Sequence, residues 1–335
     1  MTPPVEQTLI GESPVFVEML ERVSQLAQVN RPVLLIGERG TGKELIARRL
    51  HYLSPRWEKP FVRLDCASLA ESLLESELFG HEAGAFTGAV RRRHGRFELA
   101  DHGSLFLDEL ANTTSAVQEK LLGVIEYGRF ERVGGQQTVE IDVRVIGATN
   151  VDLPSRAAAG RFRADLLDRL AFDVVTLPPL RARREDILPL AEHFAMRLTS
   201  ELGREWFAGF SAQARSQLHD HPWPGNVREL KNTVERAVFH QSDSKRPIAE
   251  IDFDPFASPW RPAPESSAGN PAPAALPPLP IDLKSDLAAR ESRLLERALD
   301  QARHNQRKAA ELLGLTYDQF RGIWRKYRDG GGERE

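Results

Sequence analysis

The stretch Gly37-Glu38-Arg39-Gly40-Thr41-Gly42-Lys43-Glu44 lies between an apolar run, Val33-Leu34-Leu35-Ile36, and a helical pattern, Leu45-Ile46-Ala47-Arg48-Arg49-Leu50. Strand, glycine loop and helix in that order point to an α/β fold built for a phosphate. Glycines at the first and sixth positions let backbone N–H groups curl inward at a helix N-terminus, and Lys43 reaches the outer phosphates of a nucleotide. Glu44 stands where a Ser or Thr usually ligates Mg²⁺, so the metal would be held mainly by another acid and by the phosphates. Taken alone, the loop also reads as an ordinary turn. A second motif, Ser104-Leu105-Phe106-Leu107-Asp108-Glu109, decides between the two. It is a buried parallel strand with two carboxylates at its C-terminal end, where α/β sheets bind ligands. Asp108 is placed to hold Mg²⁺ and Glu109 to orient the attacking water. Without a preceding phosphate loop the pair would read as a helix N-cap.

Length and composition bound the rest. The 335 residues are 41% hydrophobic, enough for a real core, and hold one large domain or two to three smaller ones. Lys plus Arg (45) nearly balances Asp plus Glu (48), so the net charge of -3 excludes a uniformly basic nucleic-acid coat. Any DNA contact must be local. Cys66 is the single cysteine, which rules out an intramolecular disulfide and favours a cytoplasmic location. No run approaches the roughly 18 apolar residues of a membrane span, and the start lacks a signal-peptide layout. The nine histidines show no metal-ligand spacing, so no metal beyond nucleotide-bound Mg²⁺ is expected.

Along the chain, Phe16, Met19, Leu20, Val23 and Leu26 form a helical stripe. Trp57 follows in a polar, proline-flanked segment, and an apolar strand at Phe61-Val62-Arg63-Leu64 ends at Asp65. Residues 69–79 are amphipathic and lead into a loop, 81–95, holding Gly84-Ala85-Phe86-Thr87-Gly88-Ala89. Phe86 either folds back into its own core or, with Thr87, is presented to a partner. Residues 118–127 have helical spacing, and 128–137, with Gly134-Gly135, read as a second exposed loop. From about Leu180 strands stop. Helices are expected over 186–202, 211–219 with Ser211 as N-cap, and 225–240, together a small helical lid.

Residues 255–280 are rich in Pro, Ala and Ser and read as a semi-rigid linker, a proline-rich partner motif being the alternative. Beyond it Leu283, Leu287, Leu294, Leu295 and Leu299 share one helical face that wants a partner, most simply its own copy in a dimer. Ala309, Ala310, Leu312 and Leu313, the turn Gly314-Leu315-Thr316, and Phe320, Ile323 and Trp324 make a helix-turn-helix with Thr316 as N-cap. Arg307, Lys308, Arg321, Arg325, Lys326 and Arg328 supply a local positive patch, and Thr316, Tyr317 and Gln319 open the helix that would read DNA.

The hexapeptide GAFTGA, placed between the two nucleotide motifs, resembles the signature of bacterial enhancer-binding proteins, the AAA+ activators of sigma-54 RNA polymerase. Further stretches agree: GERGTGKE, where that family commonly has the final Glu, then ELFGH, SLFLDEL, RVIGATN, FRADLLDRL and WPGNVREL. The resemblance covers nearly the whole chain. It implies an AAA+ α/β ATPase subdomain with a parallel sheet over 1–180, a helical lid over 181–254, the linker over 255–280, and a dimerising helix with an all-α helix-turn-helix domain over 281–335. It implies ATP and Mg²⁺ as cofactors, bound through Gly37, Glu38, Arg39, Gly40, Thr41, Gly42, Lys43 and Glu44. Asn150 would be the first sensor and Arg228 the second, with Arg163 and Arg169 as arginine fingers completing a neighbour's site in a hexameric ring. Gly84, Ala85, Phe86, Thr87, Gly88 and Ala89 would contact sigma-54, and the last helix would enter the major groove of an upstream DNA site.

Within the family the similarity is greatest to activators of phage-shock (membrane-stress) operons. The chain starts almost directly at the ATPase region, keeps Trp57 in HYLSPRW, and ends in NQRKAAELLGLTYDQFR. That implies control in trans by a peripheral membrane repressor. Trp57 reads equally as a partly buried surface aromatic and as an anchor for that partner. One position departs from the family. Asp65 stands where an Asn usually bonds the water-orienting glutamate, so Asp65 either shares a proton with Glu109 or turns away to an arginine or a Mg²⁺-bound water. Two rivals from other classes are a DNA-binding repressor with a structural nucleotide site, which has no use for Glu109 or Phe86, and an AAA+ remodeller that works without sigma-54.

Overall fold

The computed structural model describes residues 9–241, 243–258, 260–261 and 282–329. The stretch read as a linker lies, from residue 262 on, outside the described residues, as do the side chains of Leu283 and Arg328. The chain divides into two units, Met1–Phe256 and Ala257–Glu335.

The first unit opens with α1 (Pro14–Ala27), β1 (Val33–Ile36), α2 (Lys43–Tyr52), β2 (Phe61–Asp65), α3 (Glu71–Phe79), α4 (Arg96–Leu99) and β3 (Ser104–Asp108). It continues through α5 (Ser115–Tyr127), β4 (Arg129–Glu131), β5 (Thr138–Glu140), β6 (Arg144–Thr149), α6 (Leu153–Ala158), α7 (Ala164–Leu170) and β7 (Val174–Thr176). Five strands make one parallel sheet in the order β2-β3-β6-β1-β7. Side chains alternate across it, as a period of two requires. Leu34, Leu105, Leu107 and Val145 face one core with Leu78, Phe97 and Leu121, while Val33, Leu35, Phe106 and Ile146 face a second with Phe16, Ile46 and Leu50. Both faces are therefore covered, which is why β1, β3 and β6 read as continuous apolar runs.

Residues 128–137, read as a loop, are in part a hairpin: β4 and β5 pair antiparallel, Phe130 opposite Val139. Phe130 is buried between exposed Arg129 and Glu131, an alternation too short to stand out beside two glycines. Three helices follow, α8 (Ile187–Glu201), α9 (Ala212–Asp220) and α10 (Asn226–His240). They pack around Trp223, fully buried, whose indole N–H donates to Leu218 O (2.8 Å), and Ser211 caps α9 at Ala214 N.

The second unit holds α11 (Leu283–Gln301), α12 (Gln306–Leu312) and α13 (Tyr317–Asp329). Leu295 and Leu299 pack in this unit's own core with Ala309, Ala310 and Phe320, whereas Leu287 and Leu294 are exposed. The single leucine face expected of α11 is thus split between an internal core and open surface. Gly314 (φ +65°) makes the turn, and Thr316 and Gln319 cap α13 reciprocally, Thr316 N to Gln319 Oε1 (3.0 Å) and Gln319 N to Thr316 Oγ1 (3.3 Å). Among the described residues no helix is long and apolar enough to cross a membrane.

Candidate functional site

The segments that follow the C-terminal ends of β1 and β3 meet at one cavity of about 570 Å³, closed from above by α8 and α10. Arg39, Gly40, Thr41, Gly42, Lys43, Glu44, Asp108, Glu109 and Arg228 all line it, and its volume suits a nucleotide-sized ligand. Two left-handed glycines, Gly40 (φ +77°) and Gly42 (φ +99°), curl the loop into the N-terminus of α2. Thr41 Oγ1 donates to Glu38 O (2.9 Å) and Lys43 Nζ to Gly37 O (2.8 Å), tying the curl internally. Burial pulls the Lys43 ammonium below its usual pKa, against the carboxylates of Asp108 and Glu109, which favour its charge.

Asp108 closes β3, its Oδ1 accepting from Glu109 N (3.0 Å). Burial raises its pKa, opposed by that bond and by Lys43. Glu109 adopts a left-handed backbone (φ +51°), which for a non-glycine residue is strained and turns its carboxylate off the strand into the cavity. The Asn150 amide lies between Glu109 Oε2 (3.0 Å) and Arg39 Nε (3.1 Å), and we assign its orientation from these partners: Nδ2 donates to the carboxylate and Oδ1 accepts from the guanidinium.

The donor set fits a nucleotide triphosphate with Mg²⁺. Cations from the loop (Arg39, Lys43) and from the helices above (Arg228, Lys231) line the same space as one acid pair. Glu44 is engaged by Arg63 (2.7 Å) and Arg48 (3.0 Å), and among the described residues no three His, Cys, Asp or Glu side chains gather to hold a metal. Mg²⁺ would then rest on Asp108 and the phosphates.

Asp65 does not take the place of a glutamate partner. It lies opposite Asp108 in the β2–β3 register, but its Oδ1 accepts from Ala67 N (2.9 Å), and among the described residues no hydrogen bond joins it to Glu109. Of the two alternatives considered from sequence, this geometry favours Asp65 turned away from Glu109, toward a backbone N–H, over a shared proton. The pH–rate profile of Asp65→Asn is therefore expected to superimpose on that of the parent at saturating MgATP; an ionisation lost in the variant would restore the coupling.

Arg163 and Arg169 do not line the cavity of their own chain. Arg163 grips Asp165 through Nε and Nη2 (3.1 and 2.8 Å), and Arg169 holds Glu126 by one bond (2.9 Å). Gly84–Ala89 form a closed turn, Gly84 N to Ala89 O (2.8 Å), with Phe86 and Thr87 exposed. Trp57 is 57% exposed. In the second unit Arg307, Lys308, Tyr317, Arg321, Arg325 and Lys326 are all exposed, Arg307 standing 5.6 Å over the Tyr317 ring. Thr316 and Gln319 are partly committed to capping, a role the sequence showed for Thr316 only.

Sequence reasoning missed three polar residues around the phosphate loop. Arg181 clamps Glu38 (2.8 and 2.5 Å), and Asn226 Nδ2 donates to the same carboxylate (3.0 Å); the guanidinium first, then the amide, hold the Glu38 carboxyl at about 2. Arg183 is buried on the cavity wall with its guanidinium 4.4 Å from the Phe16 ring centroid. The one available signal was Asn226 directly after Gly225 at a helix start, which reads as an ordinary cap.

Comparison with known proteins follows these lines. Residues 9–176 match the family model for the Sigma-54 interaction domain, 181–263 that for the AAA+ ATPase lid domain, and 287–327 that for Bacterial regulatory protein, Fis family. The chain is 55% identical over 323 residues to the Psp operon transcriptional activator of Escherichia coli (strain K12), covering 96% of this chain and 98% of that protein. It is 44% identical over 314 residues to the Nif-specific regulatory protein of Azotobacter vinelandii, covering 93% of this chain and 57% of that one. The structure of NtrX from Brucella abortus in complex with ATP matches with a TM-score of 0.68 at 31% identity, over 96% of this chain and 68% of that chain.

Proposed function

The chain belongs to the sigma-54-dependent transcriptional activators, and from that premise we propose that it hydrolyses MgATP in a hexameric ring and spends the energy on remodelling promoter-bound sigma-54 polymerase. The observation that carries this reading is that Glu109 and Arg39, bridged by Asn150, line one cavity with Lys43 and Asp108. A structural nucleotide site needs cations for phosphate but no strained glutamate aimed into the cavity.

Mg²⁺ would neutralise charge on the outer phosphates; the protein's part is positioning. Lys43 and the loop N–H groups bind phosphate, Asp108 holds the metal, and Glu109 orients water, its rotamer fixed by Asn150. Arg228 answers the phosphates from the lid, and Arg163 and Arg169 serve the adjoining subunit. Gly84–Ala89 engage sigma-54, with Phe86 and Thr87 at the tip. The exposed cations of α12 and α13 bind upstream DNA, as a dimer through the open part of α11, and the protein works in the cytoplasm.

The test is transcription in vitro from a sigma-54 promoter. Open complexes are expected with ATP and none with a non-hydrolysable analogue; equal output with both would refute energy coupling.

The relative of highest identity quoted above is a Psp operon activator, and we extend its membrane-stress operon and a peripheral membrane repressor to this chain. Trp57, broadly exposed on a surface segment away from the cavity, is the anchor we assign to the repressor, since aromatics dominate interface energy. Trp57→Ala is expected to keep parental ATPase activity and to weaken inhibition by purified repressor by about tenfold or more. Unchanged inhibition would exclude it.

A further inference from the structure

Asn226 is fully buried and uses both ends of its amide. Oδ1 accepts from Leu180 N (2.8 Å), at the entrance to the lid, while Nδ2 donates to Glu38 Oε2 and to Arg39 O, both at 3.0 Å. Its backbone is left-handed (φ +53°), a conformation asparagine tolerates better than most residues. The neighbouring Val227 N donates to Gly40 O (3.1 Å), and a Cβ on Gly40 would stand 2.3 Å from Gly225 O. Residues 38–40 of the phosphate loop are thus clasped directly by the start of α10. On the far side of the loop, Arg39 Nε reaches Asn150, which holds Glu109. A path of hydrogen bonds, joined at Arg39 by the covalent stem between its carbonyl and its guanidinium, runs from Leu180 through Asn226 and Asn150 to Glu109.

We propose that Asn226 is a positioning residue for hydrolysis, transmitting the placement of the lid through Arg39 and Asn150 to the water-orienting Glu109. This rests on the ATPase reading above. An ordinary cap would bond the first turn of its own helix; Asn226 instead bonds residues 187 and 188 positions away. The phosphate loop does not need it for its own shape, being tied internally by Thr41 and Lys43. The position requires a donor and an acceptor on one short side chain, which an amide supplies and a carboxylate does not. A carboxylate there would oppose both the Glu38 carboxylate and the Arg39 carbonyl. A shift of Glu109 by about 1 Å is enough to cost about 10²-fold in rate.

Steady-state kinetics of Asn226→Asp, Glu38→Gln/Asn226→Asp and Arg39→Met test this. Asn226→Asp is expected to lower kcat at saturating MgATP by about tenfold or more. The added Glu38→Gln removes the opposing carboxylate and restores a donor at residue 38 but not the bond to the Arg39 carbonyl, so kcat should stay about tenfold below that of Glu38→Gln alone. Arg39→Met removes the guanidinium but keeps the carbonyl that Asn226 bonds, and its exposed side chain makes it safe for folding. It should lower kcat by about tenfold with the lid clasp intact. A parental kcat in Asn226→Asp or Arg39→Met, whatever happens to KM, or a double variant that matches Glu38→Gln, overturns the role. Should Asn226→Asp not fold, the double variant, in which the opposed carboxylates are gone, decides by comparison with Glu38→Gln. A parent protein that binds ATP without hydrolysing it would instead sink the functional reading on which the role stands.

Discussion

Arg169→Ala is expected to hold MgATP and to lose turnover by about 10³- to 10⁵-fold, the contribution of an arginine finger. The argument is geometric. Arg169 sits in the last turn of α7 with its side chain 56% exposed, lines no part of its own cavity, and is restrained by one ion pair to Glu126 (2.9 Å). Arg163 is held more firmly, by two bonds to Asp165 with Glu119 at 3.8 Å. Releasing an exposed single pair costs about 0–1 kcal/mol, so Arg169 is the guanidinium more readily delivered to an adjoining subunit. Because the proposed role is in trans, the decisive measurement mixes two proteins each expected to be inactive. Lys43→Ala lacks a functional phosphate loop but keeps Arg169, and Arg169→Ala the reverse. In an equimolar mixed ring about one site in four combines an intact loop with an intact finger, and activity should reappear. Undiminished turnover by Arg169→Ala alone, or a mixture as inert as its components, refutes the assignment.

The sequence made the sheet legible wherever strands are buried on both faces. The runs at β1, β3 and β6 are apolar in their interiors; by topology alone the first two bring Lys43, Asp108 and Glu109 to one cavity, and the third ends at Asn150 beside Glu109. The β4–β5 hairpin was not legible, since three-residue strands beside glycines give too few positions for a period of two. The partner of Glu109 stayed open between two alternatives for a different reason. Sequence places Asp65 and Glu109 on adjacent strand ends, but only the rotamer of Asp65, turned to Ala67 N, shows that the two do not meet. Asn226 was missed because a left-handed backbone, which aims its amide at the phosphate loop instead of its own helix, leaves no mark on composition or spacing. In α11 the leucine pattern was right, yet periodicity cannot say which leucines face Phe320 and which face outward.

Thr87→Ala and Phe86→Ala should uncouple the engine from its target: ATPase activity stays near parental, while open-complex formation falls by about 10²-fold or more, the effect of losing an interface hot spot worth about 2–4 kcal/mol. Neither residue lines the cavity. Gly84 (φ +83°) and Gly88 (φ +100°) bracket the tip, and Gly84 N to Ala89 O (2.8 Å) with Ala89 N to Phe86 O (3.0 Å) closes it into a turn that needs neither side chain. Phe86 remains 41% exposed, touching only the edge of His81 with ring centroids 5.0 Å apart; among the described residues the Thr87 hydroxyl has no partner. An aromatic ring and an unpaired hydroxyl held out on a turn closed by its own backbone are spare binding capacity, since a partner that covers them takes the ring out of water and supplies the hydroxyl with a hydrogen bond. The tip is also tied to the rest of the unit, because a Cβ on Gly134 from the β4–β5 hairpin would stand 2.6 Å from the Ala85 Cβ, so a shift of the hairpin must move the turn. Removing Thr87 Oγ1 or the Phe86 ring leaves that linkage and the cavity intact and deletes only what faces outward. Two results would count against this division of labour. Parental transcription by Thr87→Ala would deny the tip its role, and loss of ATPase activity in step with transcription would place the tip in ring assembly or catalysis.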